Sequence, residues 1–365
     1  MLLARRNLFR DRARFLLSVV GVAVSVGLIL LLAGYRSGVY RQASAYLDNT
    51  PGSVVVAERG IRDFLGTSSV LPRDALDAVR SMPGVDRVIP VVSQLVIFER
   101  HGRKDGFFLI GYDPAAGGGP WKLVNGREPP ADDELVIDRT TADQHDIVIG
   151  DQVTLLDREA TVVGLSDETT FWAGSIAFAR ITTLESLLRA PGLRSFLLVT
   201  PAAGVSPETL RDRLAVPGTE VLLKTDVVAN DAKLMARVYD APIGLMVAIA
   251  FVVGVLVVGL VIYTATIERR REYGAVKAIG ARNRTLYRVV TIQAAIAAVV
   301  GAVAGTGLAF LAAAALMSWR PQFLVAIEPT AVAMVLASSL VMALLAALIP
   351  ARSAARLEPA EVFRG

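Results

Sequence analysis

Four long stretches without a charged residue decide what this chain can fold into. They cover 15–34, 241–267, 289–319 and 329–351. Each has at least twenty residues, the length a helix needs to cross a hydrocarbon layer roughly 30 Å thick. Inside that layer every backbone amide must find a partner nearby, and an isolated apolar segment achieves this as a helix. The sequence therefore predicts a membrane protein with four transmembrane helices.

The first stretch follows five arginines and could instead be a secretory signal peptide. Its uncharged run of twenty residues is longer than the apolar core of such signals, which is about 7 to 15 residues. The residues from Leu31 to Tyr35 also make a poor small-residue cleavage site. We expect 15–34 to be retained as a membrane anchor.

The charges between these stretches predict the orientation. Segments 1–14, 268–288 and 352–365 carry net charges of +4, +5 and +1, whereas 35–240 carries −6 and 320–328 is neutral. Lys and Arg near helix ends stay on the cytoplasmic side. Both termini and the 268–288 loop are therefore predicted to be cytoplasmic, in a multi-pass protein of the cell membrane. The pI near 9.5 reflects this orientation, and no nucleic-acid-binding motif accompanies it.

Segment 35–240 is long enough for a folded domain outside the membrane. Strand–helix–strand patterns occur at both of its ends and a β-rich stretch lies between them, which predicts a large α+β domain between helices 1 and 2. The strand candidates are 53–58, 85–99, 107–111, 134–138, 152–156, 160–164, 195–200 and 221–224, and the helix candidates are 72–82 and a segment that begins at Ser206.

The two segments next to the membrane carry apolar residues at helical spacing, over 35–47 and 227–238. This spacing predicts that the first and second membrane helices continue outward as two stalk helices, although ordinary linkers are the alternative. The sequence Asp240-Ala241-Pro242 is expected to interrupt the second stalk near the membrane surface.

Residues suited to catalysis or metal binding are few. His101 and His145 lie in separate turn-rich regions, and the chain has no cysteine. The carboxylates Asp132, Asp133 and Glu134 follow two prolines, where acidic clusters are usually solvated loops. No nucleophile elbow, zinc-binding helix or calcium-loop spacing is present. The sequence predicts a non-catalytic chain with no metal site and no cofactor of its own.

The most informative segment follows the second membrane stretch and reads ERRREYGAVKAIGA over 268–281. Tyr273, Val276 and Ile279 recur at helical spacing, Gly280 suits a helix end, and Asn283 can cap the next helix. The spacing predicts a short cytoplasmic helix held between two membrane helices. A basic loop bound to anionic lipid headgroups is the alternative.

The order of residues in this segment resembles the E-R-x-x-E-x-G-x-x-K/R-A-x-G-A signature of the FtsX/MacB-like ABC permease family, which includes LolC-type and DevC-type proteins. The sequences RNLFR at 6–10, continuing into the first stretch, and PARSAARLEPAE at 350–361 are similar to the two ends of that family. The sequences NGREP at 125–129 and IGDQV at 149–153 are similar to pieces of the MacB-type periplasmic core domain.

The resemblance implies a permease that forms a homo- or heterodimer and recruits cytoplasmic ABC ATPase subunits. This sequence has no Gly-x-x-x-x-Gly-Lys-Ser/Thr loop, so ATP and Mg²⁺ are expected in the partner ATPase. A membrane-fusion protein or a lipoprotein is a further expected class of partner, besides membrane lipid. The residues implied to couple to the ATPase are Glu268, Arg269, Glu272, Gly274, Lys277, Ala278 and Gly280, and those of the C-terminal motif are Pro350, Arg352 and Pro359.

Within the membrane stretches, Gly301 and Gly305 form a small-xxx-small step that allows two helices to approach closely. The stretches contain no charged residue, which argues against a channel or an ion-coupled transporter. Gln293 departs from the family, many members of which carry a glutamate there, so a role that depends on that charge is in doubt.

Two functions follow from the resemblance. The first is ATP-driven export or extraction of an amphipathic cargo such as a lipid, lipoprotein, glycolipid or peptide. The alternative is a signalling subunit whose external domain switches a partner such as a cell-wall hydrolase without moving cargo. In both, ATP hydrolysis moves the external domain, as described for the family under the name mechanotransmission.

Overall fold

The computed structural model describes residues 12–129, 131–171, 174–268, 270–279 and 282–355. The helices are α1 (Arg12–Asn49), α2 (Ala75–Arg80), α3 (Arg139–Gln144), α4 (Ile181–Leu187), α5 (Pro207–Arg213), α6 (Lys224–Glu268), α7 (Arg270–Ala278), α8 (Asn283–Trp319) and α9 (Pro329–Ala355). The strands are β1 (Val54–Glu58), β2 (Val85–Arg100), β3 (Arg103–Tyr112), β4 (Leu123–Gly126), β5 (Glu134–Asp138), β6 (Gln152–Leu155), β7 (Arg158–Ser166), β8 (Thr170–Phe171), β9 (Gly174–Arg180), β10 (Phe196–Pro201) and β11 (Thr219–Leu223).

These elements form two compact units. The globular unit contains Gly38–Val238 together with Arg320–Leu324. The helical unit contains the described residues up to Ser37, Tyr239–Trp319, and those from Val325 onward. The helices α1, α6, α8 and α9 are long and apolar enough to cross a membrane. The predicted fold class is therefore confirmed: four membrane helices with an α+β domain between the first and the second.

The two membrane helices extend beyond their uncharged stretches at both places where stalk helices were predicted. Helix α1 continues to Asn49, and α6 begins as early as Lys224, so each helix contributes residues to both units. The expected interruption at Pro242 is wrong, because α6 runs through it. A proline inside a helix removes one backbone hydrogen bond and crowds the preceding turn. In a helix of 45 residues this is one lost hydrogen bond among many, and the helix continues.

The core of the helical unit is built from small and β-branched residues. Gly301 and Gly305 of α8 both lie against α1. A Cβ atom on Gly301 would lie 2.6 Å from the Cβ atom of Val22, and one on Gly305 would lie 2.5 Å from the backbone oxygen of Ala23. Since real side chains do not approach backbone oxygens so closely, only glycine permits this separation of α1 and α8.

We expect Gly305→Ala to destabilise the helical unit by about 1–3 kcal/mol, the usual cost of overpacking a tight core. The matched control is Gly307→Ala on the same helix, where an added Cβ meets nothing within 4 Å. Thermal unfolding of the detergent-solubilised protein should show a lower midpoint for the first variant and an unchanged or higher midpoint for the second. Equal midpoints for the two variants would contradict the described packing of α8 on α1.

The globular unit begins and ends with strands that share one sheet. The neighbouring strands are β11, β1, β10 and β2 in that order, and each pair is antiparallel. The connections β1–α2–β2 and β10–α5–β11 therefore give the split βαβ arrangement. Helices α2 and α5 share one apolar cluster with this sheet, which includes Val79 and Leu210. The two strand–helix–strand patterns at the ends of segment 35–240 thus combine into one sheet with both helices packed on it.

The β-rich stretch between these halves closes on itself. Strand β2 pairs with β3, and the pairing continues through β9, β5, β7 and β6 back to β2. Alternate residues of a strand point to opposite faces. Phe107 and Leu109 therefore lie in the inner apolar cluster, to which all six strands contribute. Ile110 and Tyr112 belong to a second cluster on the other face.

Candidate coupling segment and helix anchor

The last turn of α1 meets the first residue of α6 inside the globular unit. The Nζ atom of Lys224 donates hydrogen bonds to the backbone oxygens of Leu47, at 3.0 Å, and Thr50, at 3.1 Å. Carbonyl groups at the end of a helix have no partner within that helix, and a positive charge there also interacts favourably with the helix dipole. Lys224, the first residue of α6, thus supplies a hydrogen-bond donor to the carbonyl groups at the end of α1.

Tyr46 fixes the same turn of α1 in the apolar cluster on the outer face of the β-rich part. Its ring is 2% exposed and stacks on Phe64, with 5.1 Å between ring centroids. Its hydroxyl donates to the backbone oxygen of Gly118 at 3.0 Å. Leu47 and Val227 lie in the same cluster. We call Tyr46, Leu47, Lys224, Val227 and Asp231 the helix anchor.

Asp231 ties α6 to the loop that follows β1. Its carboxylate is fully buried, and Oδ1 accepts hydrogen bonds from the backbone N–H groups of Phe64, at 2.9 Å, and Leu65, at 3.1 Å. Beside it, the Asn230 side chain donates to the backbone oxygen of Arg62 at 3.0 Å. The loop that carries Phe64, and with it the ring stacked on Tyr46, is therefore held by α6.

We expect Asp231→Ala to lower the thermal midpoint of the protein clearly, because it leaves the buried N–H of Phe64 and the partly buried N–H of Leu65 without an acceptor. A buried group left unsatisfied costs about 1–3 kcal/mol. Asp86→Ala is the matched control, since Asp86 is exposed on β2. The measurement is thermal unfolding in detergent, followed by the near-ultraviolet signal of the buried aromatic rings. If both variants melted together, the carboxylate of Asp231 would not hold the loop.

In the helical unit, α1 and α6 are joined by a bidentate ion pair. The Arg36 side chain donates to Asp240 through Nε, at 2.6 Å from Oδ1, and through Nη2, at 2.8 Å from Oδ2. Both side chains are partly exposed. A surface pair contributes at most about 1 kcal/mol to stability, so its effect is to fix which turns of the two helices face each other.

The segment predicted to couple to an ATPase contains a described helix, α7. Helix α7 is short, polar and rich in charge, with Arg271 and Glu272 exposed. Glu268, at the end of α6, and Ala278 are exposed as well, and Lys277 is partly exposed. The described residues of this segment thus carry charges of both signs at the surface.

Two residues of the segment differ from what the sequence suggested. Gly274 is buried, although it was predicted to contact an ATPase. Substitution of Gly274 by a large residue would therefore disturb the packing of this chain itself. Ile279 was grouped with Tyr273 and Val276 by helical spacing, but its side chain is 88% exposed. Its position at the end of α7, directly before Gly280, was the available signal that the spacing no longer applied. An exposed isoleucine beside charged residues can fill an apolar depression on a partner.

The other predicted positions are distributed as follows. Arg269, Gly280 and Pro359 lie outside the described residues. Pro350 is buried within α9, and Arg352 is exposed in its last turn, where a positive charge suits the helix dipole. Gln293 is partly exposed on α8.

Two titratable side chains of the globular unit, Asp138 and His145, have structural partners. Asp138 accepts hydrogen bonds from the backbone N–H of Thr140, at 2.8 Å, and from the hydroxyl of Thr169, at 2.6 Å, and so caps α3. Burial raises the pKa of the Asp138 carboxyl even though these bonds favour its ionised form. The Nε2 atom of His145 lies 2.9 Å from Oδ2 of Asp105.

The acidic cluster after the two prolines is divided among separate partners. Glu134 pairs with Arg127 through two contacts of 2.7 and 3.0 Å, whereas the Asp132 carboxylate accepts from the hydroxyl of Thr182. The Arg127 guanidinium holds the pKa of Glu134 below its usual range. Within the described parts of the chain, no group of three or more His, Asp and Glu side chains is placed to hold a metal ion.

Comparison with known families matches both ends of this architecture. Residues 15–215 match the MacB-like periplasmic core domain. Residues 244–359 match the FtsX-like permease C-terminal domain. The first match contains most of α1 and of the globular unit, and the second contains α7, α8, α9 and the second half of α6.

Similar proteins span the whole chain. An uncharacterised ABC transporter permease of Mycobacterium tuberculosis H37Rv is 26% identical over 366 residues, which is 99% of each chain. The macrolide export ATP-binding/permease protein MacB of Escherichia coli K12 is 22% identical over 395 residues, which is 99% of this chain and 60% of that one. Among solved structures, the periplasmic region of MacB from Actinobacillus actinomycetemcomitans aligns with a TM-score of 0.38 and 13% identity, over 49% of this chain and 92% of that one.

Proposed function

We propose, from the premise that this chain belongs to the MacB/FtsX-like family of ABC transporter permeases, that it converts ATP hydrolysis in a separate cytoplasmic ATPase into movement of its globular unit. Helix α7, on the cytoplasmic side, receives the ATPase. Helices α1 and α6 carry the displacement across the membrane. The globular unit, outside, acts on an amphipathic cargo and exports or extracts it.

The helix anchor is the observation that carries this proposal. A helix can transmit a displacement only if its far end is fixed to what must move. The last turn of α1 and the first turn of α6 contact one buried cluster, so a shift of either helix acts on the same strands. Packed cores are dense and transmit strain rather than absorb it.

Export is favoured over signalling by the form of the globular unit. The six strands closed around their own apolar cluster lie within the match to the MacB-like periplasmic core domain. The relative named for macrolide export is similar in sequence over 99% of the present chain. A signalling role, in which the globular unit switches an external partner without moving cargo, is the competing outcome.

Docking through α7 predicts that Ile279→Glu weakens the association with the ATPase at least about tenfold, because a buried apolar contact of this kind contributes about 1.5–3 kcal/mol. Leu156→Glu is the matched control, since Leu156 is an exposed apolar residue of the globular unit. The measurement is the amount of ATPase recovered with the purified permease. Equal recovery for the two variants would contradict docking through the end of α7.

Cargo and signalling are separated by what alters ATP hydrolysis. The complex of permease and ATPase is reconstituted in lipid nanodiscs, and lipids, lipoproteins, glycolipids and peptides are added one class at a time. If the chain moves cargo, at least one of these classes is expected to change the rate of ATP hydrolysis. A rate that responds only to a cell-wall hydrolase would establish the signalling role instead.

A further inference from the structure

The segment between α8 and α9, residues 320–328, is shaped by more contacts than a turn between two helices requires. We call it the connector. Its first part, Arg320–Leu324, belongs to the globular unit, although the helices on either side of it belong to the helical unit. A backbone hydrogen bond of 3.0 Å from Phe323 to Arg320 folds this part into a turn. Its last residues lead into α9, where the N–H of Val332 donates to the oxygen of Glu328.

Side-chain amides hold the turn within the globular unit. The side chain of Gln42, on α1, is buried and donates to the backbone oxygen of Gln322 at 3.0 Å. The Nε2 atom of Gln144, at the end of α3, lies 3.0 Å from Oε1 of the Gln322 side chain. One residue of the connector is thus bonded to two elements far apart in sequence.

Gly38 of α1 provides the space for the connector to lie against the helix. A Cβ atom on Gly38 would lie 1.8 Å from the backbone oxygen of Leu324. No side chain fits at that distance, so a residue larger than glycine must either displace the connector or bend α1. The close approach is of backbone to backbone, and therefore does not depend on flexible side chains.

One helical turn earlier, in the helical unit, Gly34 has the same relation to the next part of the connector. The N–H of Ala326 donates to the backbone oxygen of Gly34 at 2.8 Å. A Cβ atom on Gly34 would lie 2.8 Å from Cγ1 of Val325 and 2.9 Å from Cγ1 of Ile327. Gly34 and Gly38 are four residues apart in α1, a spacing that places both on one face of that helix.

We propose that the connector is a third attachment of the globular unit, through which displacement of α8 and α9 reaches it directly. Gly34, Gly38, Gln42 and Gln144 are the residues that seat it. This inference rests on the proposed function, because it assigns a route for the same movement. A connector with no such role would need only to span from Trp319 to Pro329, without two glycines and two amides to receive it.

The test is hydrogen exchange of the complete chain, assembled with its ATPase in nanodiscs, with and without trapped ATP. The variants are Gly38→Ala and the pair Gln42→Ala with Gln144→Ala, which adds no atoms and so keeps the test valid if Gly38→Ala fails to fold. Gln94→Ala is the matched control, because the Gln94 side chain bonds only weakly, at 3.4 Å, to its neighbour Leu95.

We expect amides over 320–328 to exchange about tenfold faster in the test variants, since lost hydrogen bonds lower the local opening free energy. We also expect the wild type and the control to show an ATP-dependent change in the exchange of β5 and β7, and the test variants to lose most of that change. Unchanged exchange of the connector, or faster exchange with an intact response in β5 and β7, would overturn the inference. A wild-type complex with no ATP-dependent change would instead contradict the proposed function, and the inference with it.

Discussion

The contact between Lys224 and the end of α1 is the interaction on which the architecture depends. It brings the end of α1 and the beginning of α6 together in the globular unit. Tyr46 and Asp231 then fix the two helices to the same aromatic cluster, through Phe64 and the loop that carries it. The strands from β1 to β11 lie between α1 and α6 in the chain, so the anchor joins the two helices that enclose them in sequence.

The four membrane helices and the outline of the globular unit could be predicted because each rests on a local pattern. Uncharged stretches of at least twenty residues need no tertiary context to be identified as membrane helices. The Glu134–Asp138 strand was predicted with its observed bounds, and the Ser206 side chain caps α5 as its sequence indicates. Resemblance of the segment at 268–281 to one family was enough to identify that family, which the matches over 15–215 and 244–359 confirm.

What the sequence did not predict depends on partners distant in the chain. Strand β9 was missed because the small residues Ala177 and Ala179 give no strong strand signal, and the strand is stabilised by its pairing with β3 and β5. The continuity of α6 through Pro242 and the exposure of Ile279 were likewise set by context rather than by spacing. Nothing in the sequence of 320–328 shows that Leu324 lies against Gly38.

The central claim is that ATP hydrolysis by a partner moves the globular unit relative to the membrane helices. Because the chain has no cysteine, nitroxide labels can be attached to two introduced ones. His101→Cys places a label on the β2–β3 turn, and Leu311→Cys places one on the exposed face of α8. Pulsed electron paramagnetic resonance on the assembled complex measures the distance between them. A distance distribution that shifts by several ångströms when ATP is trapped is the predicted result, and an identical distribution with and without ATP would contradict the account.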